Sequence, residues 1–210
     1  MSNSKYTIWI SLGIVIAALF LLFPFDRQIG LFLQNQIPDR FDDTIKLFTN
    51  RGLFLLYFIF AAVFVFALLK KRNELKRVIY AYVVAQLAFA FLLVRVLKIL
   101  SGRARPTNGS EFTFFSLDAG YNSFPSGHSA DAFVSGMFLY YLLKNSKFSQ
   151  YRFLPFVYAA LMAFSRIAVN THFPTDAIAG AAIGIFGAWF LISKISALPP
   201  NDQSILKNSS

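Results

Sequence analysis

The chain has no cysteine. Disulfides, thiolate nucleophiles and cysteine-ligated metals are therefore excluded, and nothing marks the redox compartment. Histidine is nearly absent as well: only His128 and His172 occur in 210 residues. Two imidazoles without cysteine make a poor zinc site, and neither has the spacing of a zinc protease. Charge is scarce, with Asp, Glu, Lys and Arg making up 14% against about 25% in soluble domains. Acidic residues are the scarcest, 10 against 20 basic, for a net charge of +10. No basic helix and no basic stretch interleaved with aromatics accompanies that charge, so nucleic acid is not an expected partner. Most basic residues sit in short segments between apolar runs, where topology and anionic lipid account for them.

What fills the chain is apolar. Hydrophobic residues make up 56%, and Phe alone occurs 26 times. A soluble fold of this size cannot hide so much apolar surface, so the bilayer is the expected solvent and partner. Six apolar segments run over Ile8–Phe25, Leu53–Leu69, Ile79–Leu97, Gly127–Leu143, Phe153–Ala168 and Thr175–Ile192. Each is near the ~20 residues that cross the hydrocarbon core as a helix, the last two being short. No ten-residue alternation of a barrel strand occurs. The expected fold is all-α, a polytopic membrane bundle of six transmembrane helices forming one domain over 1–210. The first segment reads as a retained helix, because Pro24, Phe25, Asp26 and Arg27 follow it in place of a small-residue cleavage site.

Loop charge predicts the orientation. The second loop carries Lys70, Lys71, Arg72, Lys76 and Arg77 against Glu74, and the fourth carries Lys144, Lys147 and Arg152. The first loop balances Arg27, Arg40, Lys46 and Arg51 against Asp26, Asp39, Asp42 and Asp43. The positive-inside rule then puts both termini in the cytoplasm and the odd loops outside. The tail after Ser193, with Pro199, Pro200 and Asn201, reads as loose.

Both histidines fall at outer edges of apolar segments. The first stands in Pro125-Ser126-Gly127-His128. Pro and Ser start helices, Gly lets a ligand approach the backbone, and free amides at a helix start attract anions. A plain helix cap accounts for Ser126 but not for His128. The second stands in Ser165-Arg166-x5-His172-x3-Asp176. With Pro174 in the first turn of the sixth helix, Asp176 lies about one turn from His172. It can take a hydrogen bond from one imidazole nitrogen and leave the other free to attack; the plain alternative is that Asp176 only caps the helix. A third group, Lys98-x6-Arg105-Pro106, follows the third helix. Lys supplies a mobile point charge and Arg a planar fork suited to phosphate oxygens. In an unbroken six-helix path these groups all face one side.

These three motifs, in this order, resemble those of the type 2 phosphatidic acid phosphatase (PAP2) superfamily, which also holds soluble acid phosphatases and vanadium haloperoxidases. The resemblance covers 98–176 and is to the short six-helix bacterial membrane form. It implies a lipid phosphatase of the cell inner membrane, working without metal or cofactor on a lipid phosphate; loop charge puts its site on the outer side. By that resemblance His172 attacks phosphorus and forms a phosphohistidine, Asp176 orients His172, and His128 protonates the leaving oxygen and then activates water. Lys98, Arg105 and Arg166 hold the phosphoryl oxygens, with Ser126 and the Gly127 amide. The substrates it suggests are phosphatidylglycerophosphate, undecaprenyl diphosphate, phosphatidate and lipid A 1-phosphate. A lipid phosphotransferase uses the same site; a transporter fits poorly, because ionisable residues gather at one surface.

Two accessory residues stand outside the motif roles. Asp131 lies inside an apolar segment and is expected to pair with Arg95 or to support His128. Arg103, beside Arg105, is expected to contact a second phosphate or an anionic headgroup. Phe112, Phe114, Phe115 and Tyr121 of the long third loop are expected at the interface.

Overall fold

The computed structural model describes residues 13–144 and 146–197. The start of the Ile8–Phe25 segment and the tail with Pro199, Pro200 and Asn201 lie outside the described residues. Six helices carry the fold. Helix α1 runs Gly13–Asn35, with a 3-10 turn at Phe23–Phe25. Helix α2 runs Asp42–Leu69, α3 Asn73–Ser101, α4 Gly127–Lys144, α5 Leu154–Ala168 and α6 Pro174–Ser196. Among the described residues the only strand-like pairing is an isolated bridge between Arg103 and Phe112.

The helices α1, α2, α3 and α6 are long and apolar enough to cross a membrane. The 18 residues of α4 and 15 of α5 span roughly 27 and 22 Å at about 1.5 Å per residue. Helix α4 is the most interior, with Ala130, Ala132, Val134 and Phe138 buried; α5 buries Ala159 and Met162 on one face and exposes Leu154, Val157 and Leu161 on the other, as Phe20, Phe58 and Leu69 are exposed on α1 and α2. The exposed apolar surface therefore suits lipid.

One expectation needs correcting. The first loop, read as extending from Asp26 to the start of an apolar run at Leu53, is mostly helix. Helix α1 continues through Asp26–Asn35, and α2 begins at Asp42. Asp42 and Asp43 lie in the first turn of α2, where carboxylates favour the positive end of the helix dipole. Asp42 also accepts a bond from Lys46 at 2.9 Å. Charge in this stretch thus marks a helix start.

Backbone chemistry shapes the ends that face the site. Helix α3 carries a π-helical stretch at Gln86–Leu93 and closes at Gly102, whose φ of 52° is left-handed. The loop beyond folds back on itself, Ala104 N donating to Glu111 O at 2.9 Å and Thr113 N to Gly102 O at 3.0 Å. A cis Phe124–Pro125 bond precedes α4. Helix α6 opens with Pro174 in its first turn, a position that needs no amide hydrogen. It packs on α4 through Gly184, where a Cβ would come within 2.3 Å of the Ala130 carbonyl oxygen.

Candidate active site

The start of α6 is built on Asp176. Its Oδ2 accepts the Phe173 N–H at 2.9 Å, which closes the first turn, and the Ser123 hydroxyl at 2.5 Å. The capping reading is therefore correct, and the same carboxylate has a second neighbour. His172, in the turn between α5 and α6, places Nδ1 3.4 Å from the same Oδ2. That is longer than a good N–H···O bond, and Nδ1 has no other partner. Two donors already occupy the oxygen, so the imidazole is the third group to approach it. A proton on Nδ1 facing the carboxylate leaves Nε2 as the free lone pair. Burial holds the His172 imidazole well below the ordinary histidine range, at about 4; Asp176 opposes that shift, while Lys98 and Arg166 reinforce it. At neutral pH the ring is thus uncharged, which keeps a nitrogen lone pair available.

Helix α4 brings the second histidine. The Ser126 amide donates to the Asp176 carbonyl at 2.9 Å, tying the two helix starts together. Ser126 is fully buried, and its hydroxyl oxygen accepts the Ser129 N–H at 3.3 Å. It is the N-cap of α4; the hydroxyl oxygen accepts there, and its own O–H is not used in that cap. His128 follows, half-buried, within electrostatic reach of Arg166, His172, Lys98 and Arg105. A cavity of about 500 Å³ opens beside it, with Gly127, His128 and Asp131 at one end and Leu53, Leu87 and Phe91 among its apolar walls.

The cations come from three places. Lys98, one turn from the end of α3, donates to the Asn122 carbonyl and lies 3.4 Å from that of Ser123. Arg105 is held by Ala119 O at 3.1 Å. Arg166, near the end of α5, gives one nitrogen to the Thr49 hydroxyl at 2.9 Å, while its buried Nε has no partner. The Arg166 carbonyl accepts the His172 N–H at 3.2 Å, so the same turn sets both residues. Unpartnered buried side-chain atoms also include Arg103 Nε, Asn122 Oδ1 and His172 Nδ1. Such atoms are rare in folded interiors and cost free energy; Arg152 Nε, in the α4–α5 loop, is a further one.

The expectation for Arg103, and the Arg95 half of the expectation for Asp131, are overturned here. Arg103 is 1% exposed, and both terminal nitrogens are taken: NH1 by Asp176 Oδ1 at 2.6 Å and Thr175 Oγ1 at 2.9 Å, NH2 by Asp26 Oδ2 at 2.8 Å. The rings of Phe173, Phe23 and Phe112 lie 4.1, 4.8 and 5.5 Å from its guanidinium carbon. It has no open face for a second phosphate. Asp131 does not pair with Arg95, which is exposed. It accepts instead from the Tyr57 hydroxyl and from Gln86 Nε2 at 2.8 Å.

Asp26, Thr49, Asn122 and Ser123 were not singled out from the sequence. Asp26 carried a usable signal, since a carboxylate directly after Phe23-Pro24-Phe25 is costly at a membrane level unless it is paired. The third loop divides: Phe114 and Phe115 are exposed, whereas Phe112 packs against Phe23 with centroids 5.7 Å apart.

Residues 79–198 match the family described as PAP2 superfamily. The chain is 38% identical over 115 residues to a lipid A 1-phosphatase of Rhizobium etli, which covers 52% of this chain and 46% of that protein. It therefore spans about half the length of that relative. It is 28% identical over 193 residues to a lipid A 4'-phosphatase of Bacteroides thetaiotaomicron, covering 86% of this chain and 82% of the other. Among solved structures, a transmembrane PAP2-type phosphatidylglycerolphosphate phosphatase from Bacillus subtilis superposes with a TM-score of 0.62 at 22% identity, over 88% of this chain and 98% of that one. Aquifex aeolicus LpxE superposes with a TM-score of 0.59 at 24% identity, over 80% and 94%. These two likenesses are of fold. The family match takes in more than half of the chain and all three motif groups, and the chain belongs to the PAP2 superfamily.

Proposed function

We propose that this protein is a membrane lipid phosphatase that works through a phosphohistidine. The observation that carries the reading is the meeting of His172, backed by buried Asp176, with His128 and the cations Lys98, Arg105 and Arg166. His172 Nε2 attacks phosphorus. The bond from phosphorus to the lipid oxygen breaks, and His128 gives that oxygen its proton. Water then attacks the phosphohistidine, His128 taking its proton, and inorganic phosphate leaves. Charge that spreads over the equatorial oxygens in each step meets fixed cations and the amides at the start of α4. Asp176 steadies the positive charge that the imidazole gains on phosphorylation.

A lipid substrate is supported by the apolar exterior and by the cavity beside His128, whose walls suit the hydrophobic part of a leaving group. The exposed Phe114 and Phe115 suit contact with the interface. Lipid A phosphates head the substrate class, since the relatives named above are lipid A phosphatases; phosphatidylglycerophosphate, phosphatidate and undecaprenyl diphosphate stay within it. We read the site as lying on the outer side of a cell membrane, because loop charge runs that way. The test is phosphate release by purified protein from a panel of these lipids with chelator present, beside His172→Ala and His128→Ala. Chelator-sensitive release, or full activity without His172, overturns the mechanism. Product that depends on an added lipid or sugar acceptor reveals a phosphotransferase.

A further inference from the structure

Asp26 lies on α1, outside the residues that match the family. It is 2% exposed, and its side chain bonds to Thr175 and Arg103. Its Oδ1 accepts the Thr175 N–H at 2.9 Å, in the first turn of α6. Its Oδ2 accepts from Arg103 NH2 at 2.8 Å and from the Thr175 hydroxyl. The other end of the same guanidinium reaches Asp176 Oδ1 at 2.6 Å. One buried cation thus bridges two buried carboxylates, and the second carboxylate faces His172.

Charge counting gives the consequence. Asp26, Arg103 and Asp176 together carry one net negative charge. Among buried groups, where charges are weakly screened, that surplus is what the His172 ring meets when phosphorylation makes it cationic. Without the charge of Asp26, Arg103 cancels Asp176 and the surplus disappears. Without Arg103 as well, the Asp176 charge is restored. We propose that Asp26 is a positioning residue of the catalytic site: by sharing Arg103, it leaves the negative charge of Asp176 available to His172. The proposal rests on the phosphohistidine reading above. It also gives α1 a part in the chemistry, since that helix supplies the balancing carboxylate from 77 residues before Arg103.

The experiment compares wild type, Asp26→Asn and the double variant Asp26→Asn/Arg103→Gln, each purified as the full chain in detergent, on a lipid phosphate that wild type hydrolyses. Asn keeps an oxygen for the Thr175 amide and removes only the charge. The expected result is a kcat at least tenfold below wild type for Asp26→Asn, with KM changed less than about threefold. Such a split marks an interaction made in the transition state. The double variant is expected to recover at least threefold in kcat over the single one. A merely structural role predicts the reverse order, because the double variant loses more contacts. A single variant as active as wild type, or a double variant no better than the single one, overturns the proposal. Should the single variant not fold, the double variant decides: kcat within tenfold of wild type supports the proposal and a lower value overturns it. Failure of both to fold assigns Asp26 to the fold alone and overturns it too. Wild type inactive on every lipid phosphate instead sinks the underlying reading.

Discussion

Gly180 of α6 lies directly against the backbone of Ser126 at the start of α4. A Cβ on Gly180 would come within 2.2 Å of the Ser126 carbonyl oxygen. That approach lets the Ser126 amide reach the Asp176 carbonyl, and so it sets the spacing between the two histidines. Gly180→Ala is expected to destabilise the protein by about 1–3 kcal/mol through overpacking and to lower activity as the helix starts part. Thermal unfolding in detergent checks this. Gly13→Ala, with nothing within 4 Å of the new methyl group, is the control and does not lower the transition, since Ala favours a helix over Gly.

The depressed His172 value has a definite sign. Ordinary histidine titrates near 6.5, and this ring near 4. Between those values the unfolded chain holds a proton that the folded chain does not. This contribution to stability is therefore fully present above about pH 6.5 and is lost as pH falls toward 4. With only two histidines in the chain, NMR of ring-labelled protein can follow the titration in a His128→Gln background. A midpoint near 6.5 for His172 would show that the ring is not held neutral by burial.

Asp176 takes bonds from Ser123, Phe173 and Arg103 besides facing His172. Asp176→Asn keeps the size and removes the charge that faces the imidazole. The expected loss in kcat is on the order of 10²–10⁴-fold, the range seen when a histidine loses its orienting carboxylate. Steady-state kinetics beside a check of folding reads it. A loss below fivefold would mean that the carboxylate serves the cap alone.

Arg103→Ala strands two buried carboxylates. Removing one partner of a buried ion pair costs about 3–5 kcal/mol, and this residue has two partners. The expected outcome is a large fall in unfolding temperature, with activity on lipid mono- and diphosphates lowered by the same factor. A selective loss on diphosphates would restore the headgroup contact that its burial argues against.

Asp131 sits where Tyr57, Gln86 and the cavity meet. Asp131→Leu leaves the Tyr57 hydroxyl without its acceptor and takes from Gln86 Nε2 the shortest of its bonds, while Ser135 Oγ at 3.0 Å still accepts from that amide. Each lost partner costs about 1–3 kcal/mol when the remaining group is buried. Stability is expected to fall, while Asp131→Asn, which still offers an oxygen, recovers most of it. Equal unfolding temperatures for the two variants would remove Asp131 from the network's support.

Much of the site was legible because its residues are chemically conspicuous in this chain. Two histidines and a few charges stand out against apolar runs, and each lies beside a helix end. His172 and Asp176 needed only one turn of chain to be paired. The spans were legible for a similar reason, since apolar length alone marks a helix that can cross lipid. The helical stretch after Asp26 was not, because its alternating polar and apolar residues also fit a loop. The cap formed by Ser126 was legible from its place before the apolar run, and the Ser129 amide shows it.

Composition and motif order were thus enough for a six-helix membrane protein with phosphate-handling groups on one side. Both follow from local chemistry: apolar length sets the spans, and helix parity sets the side. The use of Arg103 was decided only by packing. As a residue in a basic cluster it reads as an anion contact, and its charge says nothing of burial. Two carboxylates from α1 and α6, and three aromatic rings, converge on it from far along the chain. Contacts of that kind depend on where helices cross, which no local pattern encodes.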